Sequence, residues 1–272
     1  CCDDSVEVEA QAVRTGLQQD THLVSTIRPY LDKGLTAVPY WMLGELVTIL
    51  GTSVVESAIA EARAIDNFDG TEGYYQFLET EIAYQRGDWA DVIELGTSSR
   101  AQLPMVEQLM RARLLALEGV AHGRTGDRLG QIQHFEQVME IDPSVFRRLD
   151  VELPVRIASG SGLDGDVLTA LSRSPRFESS RDGFSLQVTA NQVCLLGSMG
   201  QEFTCTRFPN REDSMTDADY VTLITDTFHS QAFSLSTGMS TADWRSLDGR
   251  ATTSKDRTRA KLKQILQQET QE

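Results

Sequence analysis

The stretch LLALEGVAHGRTGDRLGQIQHFEQVMEIDP (114–143) carries two helix-length apolar patterns separated by Gly126-Asp127. Glycine takes the left-handed conformation that ends a helix and turns the chain. Gly119 lies midway along the first pattern, where a small residue lets paired helices approach. Ile132, Phe135 and Val138 recur at helical spacing in the second. Ile141-Asp142-Pro143 then closes the unit, because proline cannot continue a helix. The stretch predicts one helix–turn–helix.

Two upstream stretches share its plan. YYQFLETEIAYQRGDWADVIELGTSSRAQLP (74–104) places Gly87-Asp88-Trp89 between two helical patterns and ends at Pro104. WMLGELVTILGTSVVESAIAEARAID (41–66) turns at Gly51 into an Ala-rich helix. The turn glycines Gly51, Gly87 and Gly126 are 36 and 39 residues apart. In this spacing and these motifs the chain resembles tetratricopeptide repeats, helix–turn–helix units of about 34 residues. It departs from that pattern at Thr80, Gly96 and Ser99 of the second unit, and the first unit lacks a closing proline. The same residues read without repeat geometry give an ordinary helical bundle.

The resemblance implies a concave groove lined by the first helix of each unit. Its lining would be Trp41 and Glu45, then Tyr74, Phe77, Glu81, Tyr84 and Gln85, then Arg113, Val120 and Arg124. Aromatic and charged side chains so placed suit an extended peptide or a partner helix. The alternative for each aromatic is burial against a neighbouring helix. Further helices are expected at 6–17, on the stripe Val6, Ala10, Val13 and Leu17, and at 22–31.

Beyond about residue 150 the composition changes. Residues 1–150 hold 12 Lys+Arg against 24 Asp+Glu, whereas 151–272 hold 13 against 16 and are richer in β-branched residues, Gly and Ser. VRIAS leads through a Gly-rich turn into the helix DVLTALSRS; FSLQVTA, NQVCLLG and EFTCTRF read as strands. A helix spans 215–233, capped by Thr216 or Asp217, and a last one spans 254–268 with Leu262, Ile265 and Leu266 as its apolar face. The expected class is mainly α: a tether at 1–5, tetratricopeptide-like helical repeats at 6–150, and a small α+β domain with a C-terminal helix at 151–272.

The whole chain has 272 residues and a net charge of −15. That charge argues against a face that neutralises nucleic-acid phosphates. No apolar run of membrane-spanning length occurs. Cys1 at the first position resembles the start of a mature bacterial lipoprotein, which implies acylation of Cys1. Cys2 in place of an aspartate favours the outer membrane. Lipoproteins of this architecture include the helical-repeat subunit of outer-membrane β-barrel assembly and pilotins of type IV pili. Cys194 and Cys205 fall opposite each other on adjacent strands, within bridging range in an oxidising compartment. The other reading of the pair is two free buried thiols.

Catalytic and metal motifs are weak. The four histidines, His22, His122, His134 and His229, show no ligand spacing, so no metal and no cofactor is expected. His229 reads as a surface or half-buried residue. Gly160-Ser161-Gly162-Leu163-Asp164-Gly165 matches a dinucleotide fingerprint without the rest of its fold, and reads as a sharp turn. The acids Glu212, Asp213, Asp217 and Asp219 read as helix capping rather than a calcium loop. The expected function is a lipid-anchored envelope scaffold that binds a protein partner through the repeat groove. The alternative is an exported enzyme or small-ligand binder with its site at the Gly160–Gly165 turn.

Overall fold

A computed structural model describes residues 47, 51–65, 72–149, 151–189 and 191–233. The expected tether, the helices at 6–17, 22–31 and 254–268, and Cys1, Trp41 and Glu45 lie outside these residues. The described chain is mainly α with a small α+β part: eight helices and one mixed five-stranded sheet. It divides into two compact units between Leu117 and Glu118.

The first unit holds α1 (Thr52–Ile65), α2 (Glu72–Arg86), α3 (Trp89–Gln102) and the first part of α4 (Gln108–Arg124). Two residues join α2 to α3. Gly87 has φ +78°, its N–H donates to the Tyr84 carbonyl, and the Asp88 N–H donates to the Ala83 carbonyl. These bonds close a Schellman turn, which satisfies carbonyls that the helix end would otherwise leave open. Asp88 is at once the last residue of that turn and the N-cap position of α3. At the far end of the hairpin the helices nearly touch. A Cβ on Gly73 would lie 2.9 Å from the Leu103 nitrogen, and the Ser99 hydroxyl donates to the Gly73 carbonyl at 2.7 Å.

The second unit opens with the end of α4 and then α5 (Arg128–Ile141), joined by the same device. Gly126 has φ +88°; its N–H donates to the Gly123 carbonyl and that of Asp127 to the His122 carbonyl. The Asp127 carboxylate then caps α5 by accepting from the Gly130 N–H at 2.9 Å. Glycines let side chains of α5 sink onto α4. A Cβ on Gly119 would stand 2.5 Å from the Phe135 ring, and one on Gly123 would stand 2.7 Å from the Gln131 amide.

Short α6 (Ser144–Leu149) follows, started by Asp142, whose buried carboxylate accepts from the Ser144 N–H and hydroxyl. Then come β1 (Leu153–Ile157), α7 (Gly162–Ser172), β2 (Phe177–Ser179), β3 (Phe184–Thr189), β4 (Gln192–Leu196), β5 (Glu202–Arg207) and α8 (Asp217–Ala232). Phe146 of α6 stacks edge-on with Phe135 of α5 and with Phe233 beyond α8. This shared aromatic core keeps α5 and α6 with the sheet, so the compositional shift near 150–153 falls inside the second unit.

The sheet order is β2-β1-β3-β4-β5. β1 pairs in parallel with β2 on one side and β3 on the other, and β3, β4 and β5 form an antiparallel meander. Residues 180–183 therefore carry the chain across β1, and Gly183, φ +125°, lies against the Pro154 carbonyl. α7 and α8 pack on each other and on the sheet. Val193, Cys194 and Leu195 are buried in succession, the mark of a strand covered on both faces. Thr216 is the residue that caps α8, accepting from the Asp219 N–H.

Candidate functional site

The groove residues expected on α2 lie mostly inside the first unit. α2 buries Gly73, Tyr74, Tyr75, Phe77, Leu78, Thr80, Glu81, Ile82 and Ala83, so it is covered on more than one side. Phe77 has no exposed surface. Glu81 is paired with Arg113 of α4 through two hydrogen bonds, and both side chains are almost fully buried. The Tyr74 hydroxyl donates to the buried Glu107 carboxylate at 3.1 Å. Tyr74, Phe77, Glu81 and Arg113 thus correct the sequence expectation of an open lining: all four are buried, and the Glu81–Arg113 pair ties α2 to α4. The reason is physical, since a carboxylate and a guanidinium removed from water each need the other.

Tyr84 is half-buried, edge-on to Trp89 with ring centres 5.8 Å apart, and Gln85 is exposed. Val120 is half-buried and Arg124 exposed, both in the second unit.

Burial, the negative charge of Glu107 and the hydrogen bond to it together push the Tyr74 hydroxyl up to about 12. An unfolded tyrosine ionises near 10. Between these values the folded protein keeps a proton that the unfolded chain releases, so this contribution to stability is complete below pH 10 and is lost as pH rises toward 12. In an absorbance titration of the six tyrosines, one is expected to ionise late, and Tyr74→Phe should remove that late step. An unchanged titration curve would show that Tyr74 is not held in this environment.

A second cluster escaped the sequence reading. Folding α4 onto α5 brings His122 and His134 together, with ring centres 4.7 Å apart. His122 Nδ1 is 2.8 Å from the Asp127 carboxylate, and His134 Nε2 is 3.3 Å from the fully buried Glu118 carboxylate. His134 Nδ1 faces the Gly130 carbonyl at 2.8 Å, so that nitrogen carries a hydrogen. The Gly130 N–H, then His122, holds the Asp127 carboxyl below its ordinary range. Gly130 has no Cβ to intrude on this contact: one there would stand 2.7 Å from His122 Nδ1. The signal available in sequence was the turn itself. A hairpin folded at residues 126–127 sets 118, 119 and 122 beside 131, 134 and 135.

His229 is buried, not at the surface, because α8 lays it flat on Phe177 at 5.6 Å. Its Nε2 is 2.8 Å from the Ser174 hydroxyl. Cys194 and Cys205 are register partners on β4 and β5, and their sulfurs are bonded. Among the described residues the one trio of potential metal-ligand atoms is Cys194, Glu202 and Cys205. Sulfurs bonded to each other are not thiolates, so this trio is not a ligand set. At the Gly160–Gly165 turn, a Cβ on Gly165 would meet the Gly160 carbonyl at 2.8 Å, and Gly162 has φ +58°. These glycines serve a tight entry into α7. No helix among the described residues is long and apolar enough to cross a membrane. Compared with known proteins, the chain matches no family model, no curated protein and no solved structure.

Proposed function

We propose that the chain is a helical-repeat adaptor of the tetratricopeptide kind in a bacterial cell envelope, which binds a protein partner on the exposed surface of α2. One observation carries this reading. The turns at Gly87-Asp88 and Gly126-Asp127 use the same pair of backbone bonds and the same left-handed glycine, 39 residues apart. A repeated corner is what a stack of helix hairpins requires, and such stacks are built to present binding surface. The bonded Cys194–Cys205 pair supports an oxidising compartment. A place in the envelope facing the periplasm or the cell surface fits that bond.

Tyr84 and Gln85 are the anchors in this reading, because the other expected lining residues of α2 are internal. Crosslinking on native membranes should capture a protein partner. Tyr84→Ala should weaken capture by about 1 to 3 kcal/mol, the range of interface hot spots, and losing its ring contact with Trp89 should cost about 1 kcal/mol of stability besides. Normal capture by that variant, with loss of capture on changes confined to residues 151–233, would place binding elsewhere.

A further inference from the structure

The cysteine pair of the sheet has a carboxylate turned toward it by an irregularity in the strand. Cys194 on β4 and Cys205 on β5 are register partners, with Cα atoms 4.1 Å apart. Successive strand residues alternate between faces. Glu202, three residues before Cys205, would therefore lie on the opposite face of a regular strand. The register breaks in between. Leu195 pairs with Thr204, but Leu196 pairs with Glu202, which leaves Phe203 as an extra residue in β5. Such a β-bulge bends its strand and re-aims the side chains beyond it. Leu196 is two residues from Cys194 and shares its face, so Glu202, opposite Leu196, returns to the cysteine face. Phe203 packs instead on Phe184, with ring centres 5.6 Å apart. The outcome is that a Glu202 carboxylate oxygen lies within 4.8 Å of both sulfurs.

While bonded, the sulfurs are not ligands; cutting the bond frees them. Cys205 is the end within reach of a reductant, because it is half-buried on the outermost strand, whereas Cys194 is 5% exposed. One thiolate of an external dithiol attacks Cys205 Sγ, the S–S bond breaks, and Cys194 leaves as a thiolate. The second thiol of the reductant then attacks the mixed disulfide. Cys205 is released as a thiolate, and the reductant departs as its own disulfide, having given up two electrons. β4 stays in place through its ladders to β3 and β5 and through fully buried Val193 and Leu195. The freed sulfurs therefore remain beside each other and beside Glu202. Two thiolates side by side repel, and a divalent cation between them removes the repulsion. Sulfur ligands select zinc over calcium or magnesium. Three protein ligands leave a fourth tetrahedral position for water.

We propose that Cys194, Cys205 and Glu202 form a redox-gated zinc site, closed while the sulfurs are bonded and opened by a dithiol reductant. This goes beyond partner binding and does not depend on it.

The test uses the full chain with Cys1→Ser and Cys2→Ser, so that Cys194 and Cys205 supply the only thiols. A phosphine cleaves the bond without adding thiols, and cobalt(II) serves as a coloured stand-in for zinc in oxygen-free buffer. The reduced chain is expected to bind one equivalent, with a thiolate-to-cobalt charge-transfer band in the near ultraviolet and the visible bands of tetrahedral cobalt. Zinc should displace it, and the oxidised chain should show neither band. Glu202→Gln, at an exposed position, should weaken zinc binding by about tenfold or more, at the least what loss of an outer-shell partner costs. Its far-UV circular dichroism spectrum should be unchanged. A reduced chain without the charge-transfer band would overturn the proposal. So would a Glu202→Gln variant that binds zinc as tightly as its parent. Binding of equal strength in urea would do the same, since the thiols would then be ligands of an unfolded chain rather than of the sheet.

Discussion

Arg113→Ala or Glu81→Ala alone is expected to destabilise the protein by about 3 to 5 kcal/mol, because each change strands a buried charge without its partner. Both side chains are at most 4% exposed, so water cannot take the missing partner's place. The pair need not itself be strongly stabilising, since desolvating two charges offsets most of their attraction. Replacing both with apolar residues of similar size, as in Glu81→Leu with Arg113→Met, should therefore recover most of the loss. Urea unfolding of the two single variants and the double variant measures this directly. Single variants that cost under about 1 kcal/mol, the range of exposed ion pairs, would mean that water reaches the site. The same experiment bears on the groove, because residues whose loss unfolds the unit cannot be read as binding residues from lost binding alone.

Gly183→Ala is expected to cost about 2 to 6 kcal/mol, the sum of two independent penalties. An L-residue at φ +125° is strained by roughly 1 to 3 kcal/mol. Its Cβ would also press into the Pro154 carbonyl where the chain crosses β1, and overpacking adds about 1 to 3 kcal/mol more. Gly200→Ala supplies the comparison within the same sheet. Gly200 also has positive φ, at +84°, but a Cβ there meets nothing within 4 Å. That change should cost only about 1 to 2 kcal/mol. Equal urea midpoints for the two variants would show that the crossing segment gives way around the added methyl group.

What the sequence revealed and what it hid divide along a physical line. Local signals spoke clearly. Gly87-Asp88 and Gly126-Asp127 announced their corners because only glycine adopts the needed φ freely. Strands β3, β4 and β5 were visible as β-branched and aromatic runs. Their poor alternation, which looked like a blemish, reflects burial on both faces, as at Val193 to Leu195. β2 was missed because three residues carry no period, and it exists only through its bonds to β1. Phe77 and Tyr74 were misplaced because a helical stripe shows which residues share a face, not how many faces are covered. Glu81 and Arg113 read as groove-lining charges for the same reason: nothing in a single helix tells that its acid meets a base 32 residues away. The histidine pair was hidden by counting along the chain, where His122 and His134 are twelve apart, instead of folding it at Gly126.

The two-residue corner also dictates where this chain can change length. One residue added between Gly87 and Asp88 would turn all of α3 by about 100° about its own axis. Val92, Gly96 and Ser99, the buried positions of α3, would swing away from α2, and Ser99 would lose the Gly73 carbonyl. The corner therefore sets the phase of the helix that follows, and insertions there are incompatible with the hairpin. At the opposite end of each hairpin an added turn of helix simply lengthens the rod and leaves the phase intact. The longer interval between the second pair of turn glycines follows this rule, for α4 is 17 residues long where α2 is 15. Growth in this architecture is confined to one end of each hairpin, which is also the end that carries the exposed Met105 and Val106.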